Sequence, residues 1–204
     1  MKIGILGGTF DPVHYGHLKM AETAVREEGL DRLLVMPAGK PYFKGKITPY
    51  GMRCDMIRLS LEELGNDRLN LSLLEGQEDA PTYTFETLRK LKDLNPGCDL
   101  FFVCGEDVFS GIHRWMRPEE VLGQATLLVF RRDTEESPSD EKDEERIAGL
   151  KRICPDVSCR FMKGSIPSIS STMIRERIRS GGNAVGLLPA SVASYIKTHG
   201  LYIS

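Results

Sequence analysis

Long apolar runs are missing from this chain. Its first apolar segment, Ile3-Gly4-Ile5-Leu6, follows only Met1-Lys2, far too little for a signal peptide, and no stretch approaches membrane-spanning length. A cytoplasmic chain with no membrane partner is the expectation. Paired cysteines are missing too. The five thiols (Cys54, Cys98, Cys104, Cys154, Cys159) form an odd set with no CxxC, which excludes a secreted disulfide framework and a zinc ribbon. Cys98 and Cys104 flank an apolar run and read as small core residues. Nor is there an excess of one charge: the net of −2 predicts no bulk attraction to nucleic acid or anionic lipid. Finally, Gly4, Gly7 and Gly8 fit neither GxGxxG nor GxxxxGK[ST]. A hydride-transfer enzyme and a P-loop ATPase are therefore disfavoured.

What is present is an ordinary globular composition, 41 % apolar and 27 % charged over 204 residues, enough for one α/β domain. Lys2–Leu6, Arg32–Met36, Leu69–Leu73, Leu100–Cys104, Thr126–Phe130 and Val157–Met162 read as strands. Helical spacing appears over residues 16–28, 50–64, Phe85–Leu94, from Ser171, and over Pro189–His199. This alternation predicts a parallel sheet with helices on both faces. Asp133–Arg146 breaks the pattern, with eight acidic residues against Lys142 and Arg146 and no apolar residue. It cannot bury a face and is expected to be a solvated, mobile loop.

Two clusters carry the chemistry. The first is Gly7-Gly8-Thr9-Phe10-Asp11-Pro12-Val13-His14-Tyr15-Gly16-His17, between the first strand and the first helix. Ligands of open α/β sheets bind beyond the carboxyl ends of the strands, where this loop must lie. Its glycines let backbone N–H groups approach a phosphate, and the following helix presents its positive end. His14 and His17, three apart, can reach one side, and Gly16 leaves room for a nucleotide between them. As metal ligands they lack the usual i,i+4 spacing and a third partner. The second cluster is Ile169-Ser170-Ser171-Thr172, followed by Arg175. Three hydroxyl residues before a helix supply a cap and spare donors, and Arg175 follows one turn in. Taken alone, the stretch fits plain capping equally well.

Together the clusters resemble the nucleotidylyltransferase superfamily marked by (H/T)xGH and ISSTxxR. Thr82-Tyr83-Thr84-Phe85-Glu86-Thr87-Leu88, then Gly105-Glu106-Asp107 with Trp115, and Leu188-Pro189 through Tyr202 narrow the resemblance to bacterial nicotinate-nucleotide adenylyltransferases. Relatives with Pro-Pro-His-Lys and Arg-Pro-Gly contrast with Pro41-Tyr42-Phe43-Lys44 and Arg131-Arg132-Asp133 here. The resemblance implies a Rossmann-like domain over residues 1–204, with a small C-terminal helical part. It implies transfer of AMP from ATP to nicotinate mononucleotide, with Mg²⁺ accompanying the ATP and no metal ligands from the chain.

By the same resemblance His14, His17 and Arg175 are catalytic. Gly7, Gly8, Thr9, Phe10, Gly105, Asp107, Ile169, Ser170, Ser171 and Thr172 bind ATP, and Lys44, Tyr83, Thr84, Trp115 and Arg132 bind the acceptor. On the residues alone, Trp115 fits a core tryptophan and Asp107 a helix cap as well. Rival acceptors are nicotinamide mononucleotide and phosphopantetheine. A nucleotide-sensing or RNA-binding module of the same fold is disfavoured by His14, His17 and Arg175 occurring together. A homo-oligomer is compatible with the sequence.

Overall fold

The computed structural model describes residues 1–40, 47–76, 82–131, 140–163 and 166–203. Six strands, β1 (Lys2–Gly8), β2 (Arg32–Pro37), β3 (Leu69–Leu71), β4 (Asp99–Gly105), β5 (Ala125–Phe130) and β6 (Cys159–Phe161), form one sheet in the order β3-β2-β1-β4-β5-β6. Every pairing is parallel, with Gly8 beside Pro37 and Leu6 beside Val103. The chain winds outward from β1 in one direction, then returns to pair β4 on its other side. That reversal opens a crevice at the carboxyl ends of β1 and β4.

Side-chain alternation along the strands feeds two cores, one on each face. Leu6, Leu33, Val35, Phe101, Val103 and Leu128 face α1 (Tyr15–Glu28), α2 (Tyr50–Leu64), α7 (Ser171–Arg179) and α8 (Ala190–Thr198). Ile3, Ile5, Leu34, Met36, Phe102 and Leu127 face α3 (Thr84–Leu94), α4 (Glu106–Gly111), α5 (Pro118–Gln124) and α6 (Asp140–Lys151). Each fully buried aliphatic or aromatic side chain contributes about 1.5–3 kcal/mol, so both faces hold the sheet. No described helix is long and apolar enough to cross a membrane.

The acidic stretch differs from its expectation. Residues 132–139 lie outside the described chain, but 140–146 open α6 instead of continuing a loop. The helix is anchored downstream, where Leu150 is buried and Ile147 packs beside it. Asp143 pairs with Arg131 and Arg146 with Glu106, so two of its charges have partners on the domain.

Candidate active site

A cleft of about 680 Å³ occupies the crevice. It gathers sixteen of the residues singled out in the sequence: Gly7, Gly8, Thr9, Phe10, His14, His17, Tyr83, Thr84, Gly105, Asp107, Trp115, Ile169, Ser170, Ser171, Thr172 and Arg175. Lys44 and Arg132 lie outside the described residues.

The phosphate-loop candidate turns abruptly after β1. Phe10 adopts φ 51°, and its ring is buried in the core. A Cβ at Gly8 would sit 3.2 Å from that ring, so glycine lets the ring fold under the loop. Phe10 therefore offers the cleft its backbone. At the start of α1 the His14 and His17 rings stack with centroids 3.7 Å apart, and Phe10 meets His17 edge-on at 4.8 Å. The His14 backbone N–H donates to Nδ1 of His17 at 3.3 Å. A neutral His17 consequently carries its proton on Nε2, as a donor. Gly16 lines the cleft, and its missing side chain also makes room for a neighbour. A Cβ there would come within 3.0 Å of the His14 ring, so the space goes to the imidazole.

The second cluster closes over the first. The Ser170 hydroxyl caps α7 by accepting from the Met173 N–H at 3.2 Å. Ser171 Oγ donates to the Pro12 carbonyl at 2.9 Å, and Arg175 donates to the Asp11 carbonyl at 2.7 Å and to Thr172 Oγ1 at 3.3 Å. These bonds pin the Arg175 guanidinium to the cleft wall beside the loop. Capping and a place at the cleft are both realised by this segment.

The opposite wall comes from the other face of the sheet. Tyr83 and Thr84 begin α3, whose first-turn N–H groups lack intrahelical acceptors. Trp115 is half-buried and meets Phe102 edge-on at 5.7 Å, one side in the core and one lining the cleft. Asp107 is not the cap of α4, a position held by Gly105. Its Oδ1 lies 2.6 Å from where a Gly105 Cβ would be, so a side chain at 105 would push that carboxylate from its present position.

Several residues escaped the sequence reading. Asp11 is buried, accepting from the Tyr202 hydroxyl at 2.6 Å and from the Thr48 N–H at 3.2 Å. Burial and that carboxylate together push the Tyr202 phenol well above its ordinary range. Lys40 and Glu75 also line the cleft. Burial raises the Glu75 carboxyl, which accepts from Thr87 Oγ1 at 2.9 Å. Arg53 is fully buried beneath the loop. Asp11 stood inside a quoted motif, but nothing in the pattern marked the others as inward-facing.

Residues 5–177 match the model of the cytidylyltransferase-like family. A Dehalococcoides mccartyi protein named "Probable nicotinate-nucleotide adenylyltransferase" is 34 % identical, covering 99 % of this chain and 97 % of the relative. A Thermus thermophilus protein of the same name is 35 % identical, over 99 % of this chain and all of its own. The solved structure of Plasmodium falciparum nicotinic acid mononucleotide adenylyltransferase complexed with NaAD superposes with a TM-score of 0.78. It covers 98 % of this chain and 97 % of its own at 19 % identity, which speaks to the fold.

Proposed function

From the premise that this chain belongs to the cytidylyltransferase-like family, and within it to the nicotinate-nucleotide adenylyltransferases, we propose that the cleft aligns ATP and nicotinate mononucleotide for direct transfer. The protein is an adenylyltransferase of NAD biosynthesis. A 5′-phosphate oxygen of the mononucleotide attacks the α-phosphorus of ATP. The bond from that phosphorus to the bridging oxygen breaks, and the electron pair leaves with pyrophosphate. The attacker is already an anion, so no general base is required. Catalysis then rests on alignment and on charge neutralisation.

The observation that carries this reading is that one cleft holds both anion-binding clusters and the Tyr83–Thr84–Trp115 wall. His14 and His17 donate to oxygens of the transferring phosphoryl group. The backbone of Gly7–Phe10 cradles the triphosphate, with Ile169–Thr172 and Arg175 opposite. Gly105 and Asp107 take the ribose. Thr84 and the N–H groups at the start of α3 receive the nicotinate carboxylate, and Trp115 backs the pyridine ring. Lys44 and Arg132 are proposed as further acceptor-side cations. Among the described residues no cluster of three or more His, Cys, Asp or Glu could cage a metal. Mg²⁺ arriving with the ATP would offset phosphate charge there.

Pyrophosphate release with ATP and each of nicotinate mononucleotide, its amide and phosphopantetheine tests the reading. The donors of Thr84 and the start of α3 suit a carboxylate and mispair the amide NH₂, so kcat/KM should favour nicotinate by on the order of a hundredfold. Equal rates for the two mononucleotides, or turnover of phosphopantetheine, would overturn it. In the same assay His17→Ala should lower kcat about a hundredfold with little change in KM. A change in KM alone would remove His17 from the reacting phosphate.

A further inference from the structure

Arg53 has no exposed surface. A buried guanidinium is normally held against a carboxylate, because leaving its charge without solvent is costly. Here the buried Asp11 carboxylate supplies opposing charge, yet every hydrogen bond runs to a main-chain carbonyl. Nε donates to Thr48 at 3.0 Å, Nη1 to Thr9 at 2.7 Å, and Nη2 to Ala38 at 2.8 Å and Gly39 at 3.3 Å. The Tyr50 ring lies 5.4 Å from its centre.

These acceptors lie on segments that do different things. Thr9 belongs to the loop after β1, on the triphosphate side. Ala38 and Gly39 belong to the loop after β2, and Ala38 also donates its N–H to the Gly8 carbonyl at 2.8 Å. Gly39 rests on a third segment, since a Cβ there would lie 2.0 Å from the Glu75 carbonyl oxygen. Glu75 in turn holds the Thr87 hydroxyl, one turn into α3 from Thr84. A continuous set of contacts therefore runs from the triphosphate loop, through one guanidinium, to the acceptor wall.

We propose that Arg53, which lies outside the cleft lining, is a positioning residue that locks the triphosphate loop and the acceptor-side loops in the relation needed for in-line transfer. The inference rests on the two-substrate reaction proposed above. Only the planar fork of arginine reaches carbonyls in three directions at once; lysine keeps the charge but has a point-like head. A residue needed for stability alone could be replaced by an apolar side chain of similar size. A residue that sets alignment could not, because misplacement by about 1 Å costs on the order of a hundredfold in rate.

The experiment compares wild type, Arg53→Lys and Gly39→Ala in the pyrophosphate-release assay, at a temperature where circular dichroism shows each fully folded. Arg53→Lys should lower kcat by about 30- to 100-fold while KM for ATP stays within about threefold. Gly39→Ala keeps the guanidinium but forces Ala38-Gly39, and with them the carbonyls that Nη2 bonds, off Glu75, and should reproduce the loss of kcat. A wild-type kcat in folded Arg53→Lys, whatever its melting temperature, overturns the proposal. If Arg53→Lys does not fold, Gly39→Ala decides: a wild-type kcat there overturns it. Amide hydrogen exchange without substrates separates this inference from the reaction it rests on. In the variants, exchange should quicken together in peptides covering 7–13 and 36–40 and stay unchanged in β4 and β5. No such paired change overturns the role of Arg53 even if wild type turns over as expected. If wild type instead turns over none of the acceptors, the reaction falls, and the exchange result still decides whether Arg53 holds the two loops.

Discussion

Burial raises the Glu75 carboxyl above its ordinary 4.5, while hydroxyl bonds from Thr87 and Thr82 and the charge of Lys90 pull it down by less. A carboxyl raised on folding favours the folded chain fully below its unfolded pKa, and that contribution is lost as pH climbs through the folded value. Glu75→Gln keeps an acceptor for the Thr87 hydroxyl and has no charge to desolvate. Its melting temperature relative to wild type should therefore rise as pH increases from the ordinary 4.5 upward. Calorimetric scans from acid to mildly alkaline pH check this, and a difference that shrinks with pH would contradict the sign. At this scale the sequence was legible where side-chain type and spacing are themselves the signal, as in His14, His17, Ser170–Thr172 and Arg175. Arg53 was not legible. It stands among other charged residues in α2, and its acceptors are carbonyls, which every residue carries.

Among the elements, the strands were readable because buried parallel strands are near-continuous apolar runs. Val157–Met162 is observed as the shorter β6, and the strand read to Leu73 stops at Leu71. The helices α4 and α5, of six and seven residues, span too few turns to display a 3.6-residue period. α6 was missed because its acidic half buries no apolar group, and its register is set by ion pairs and by Ile147 and Leu150. The nine residues of α7 are too few for a helix to persist unaided, so packing of Ile174 and the Ser170 cap must sustain it. Ser170→Ala should cost about 1 kcal/mol, lowering the melting temperature by about 2–4 °C. Because α7 also carries Ser171 and Arg175, KM for ATP should rise in the same variant. An unchanged melting temperature would mean that the cap contributes nothing.

For the molecule as a whole, alternation of strands and helices announced a parallel sheet, but nothing local announced its order. The reversal at β1 and β4 depends on which strands pair, a property of the complete set. The same holds for the bonds that tie the two ends of the described chain together. Tyr202 reaches back to Asp11, and Thr48 donates to both, through Oγ1 to the Tyr202 hydroxyl at 3.3 Å and through its N–H to Asp11. Tyr202→Phe leaves the buried Asp11 carboxylate without its shortest bond and should destabilise by about 1–3 kcal/mol. The shift of the urea midpoint at constant m-value would measure it, and a midpoint equal to wild type would show that water replaces the hydroxyl.

That bond joins residues 191 positions apart. A ribosome adding about 5–20 residues per second needs ~10–40 s to travel between them. Through that interval β1–β5 and most of the helices can emerge and pack. The loop proposed to grip the triphosphate meanwhile waits for α7 to close over it and for a phenol hydroxyl to fix its carboxylate. The nascent chain can thus become a folded body before its site is closed.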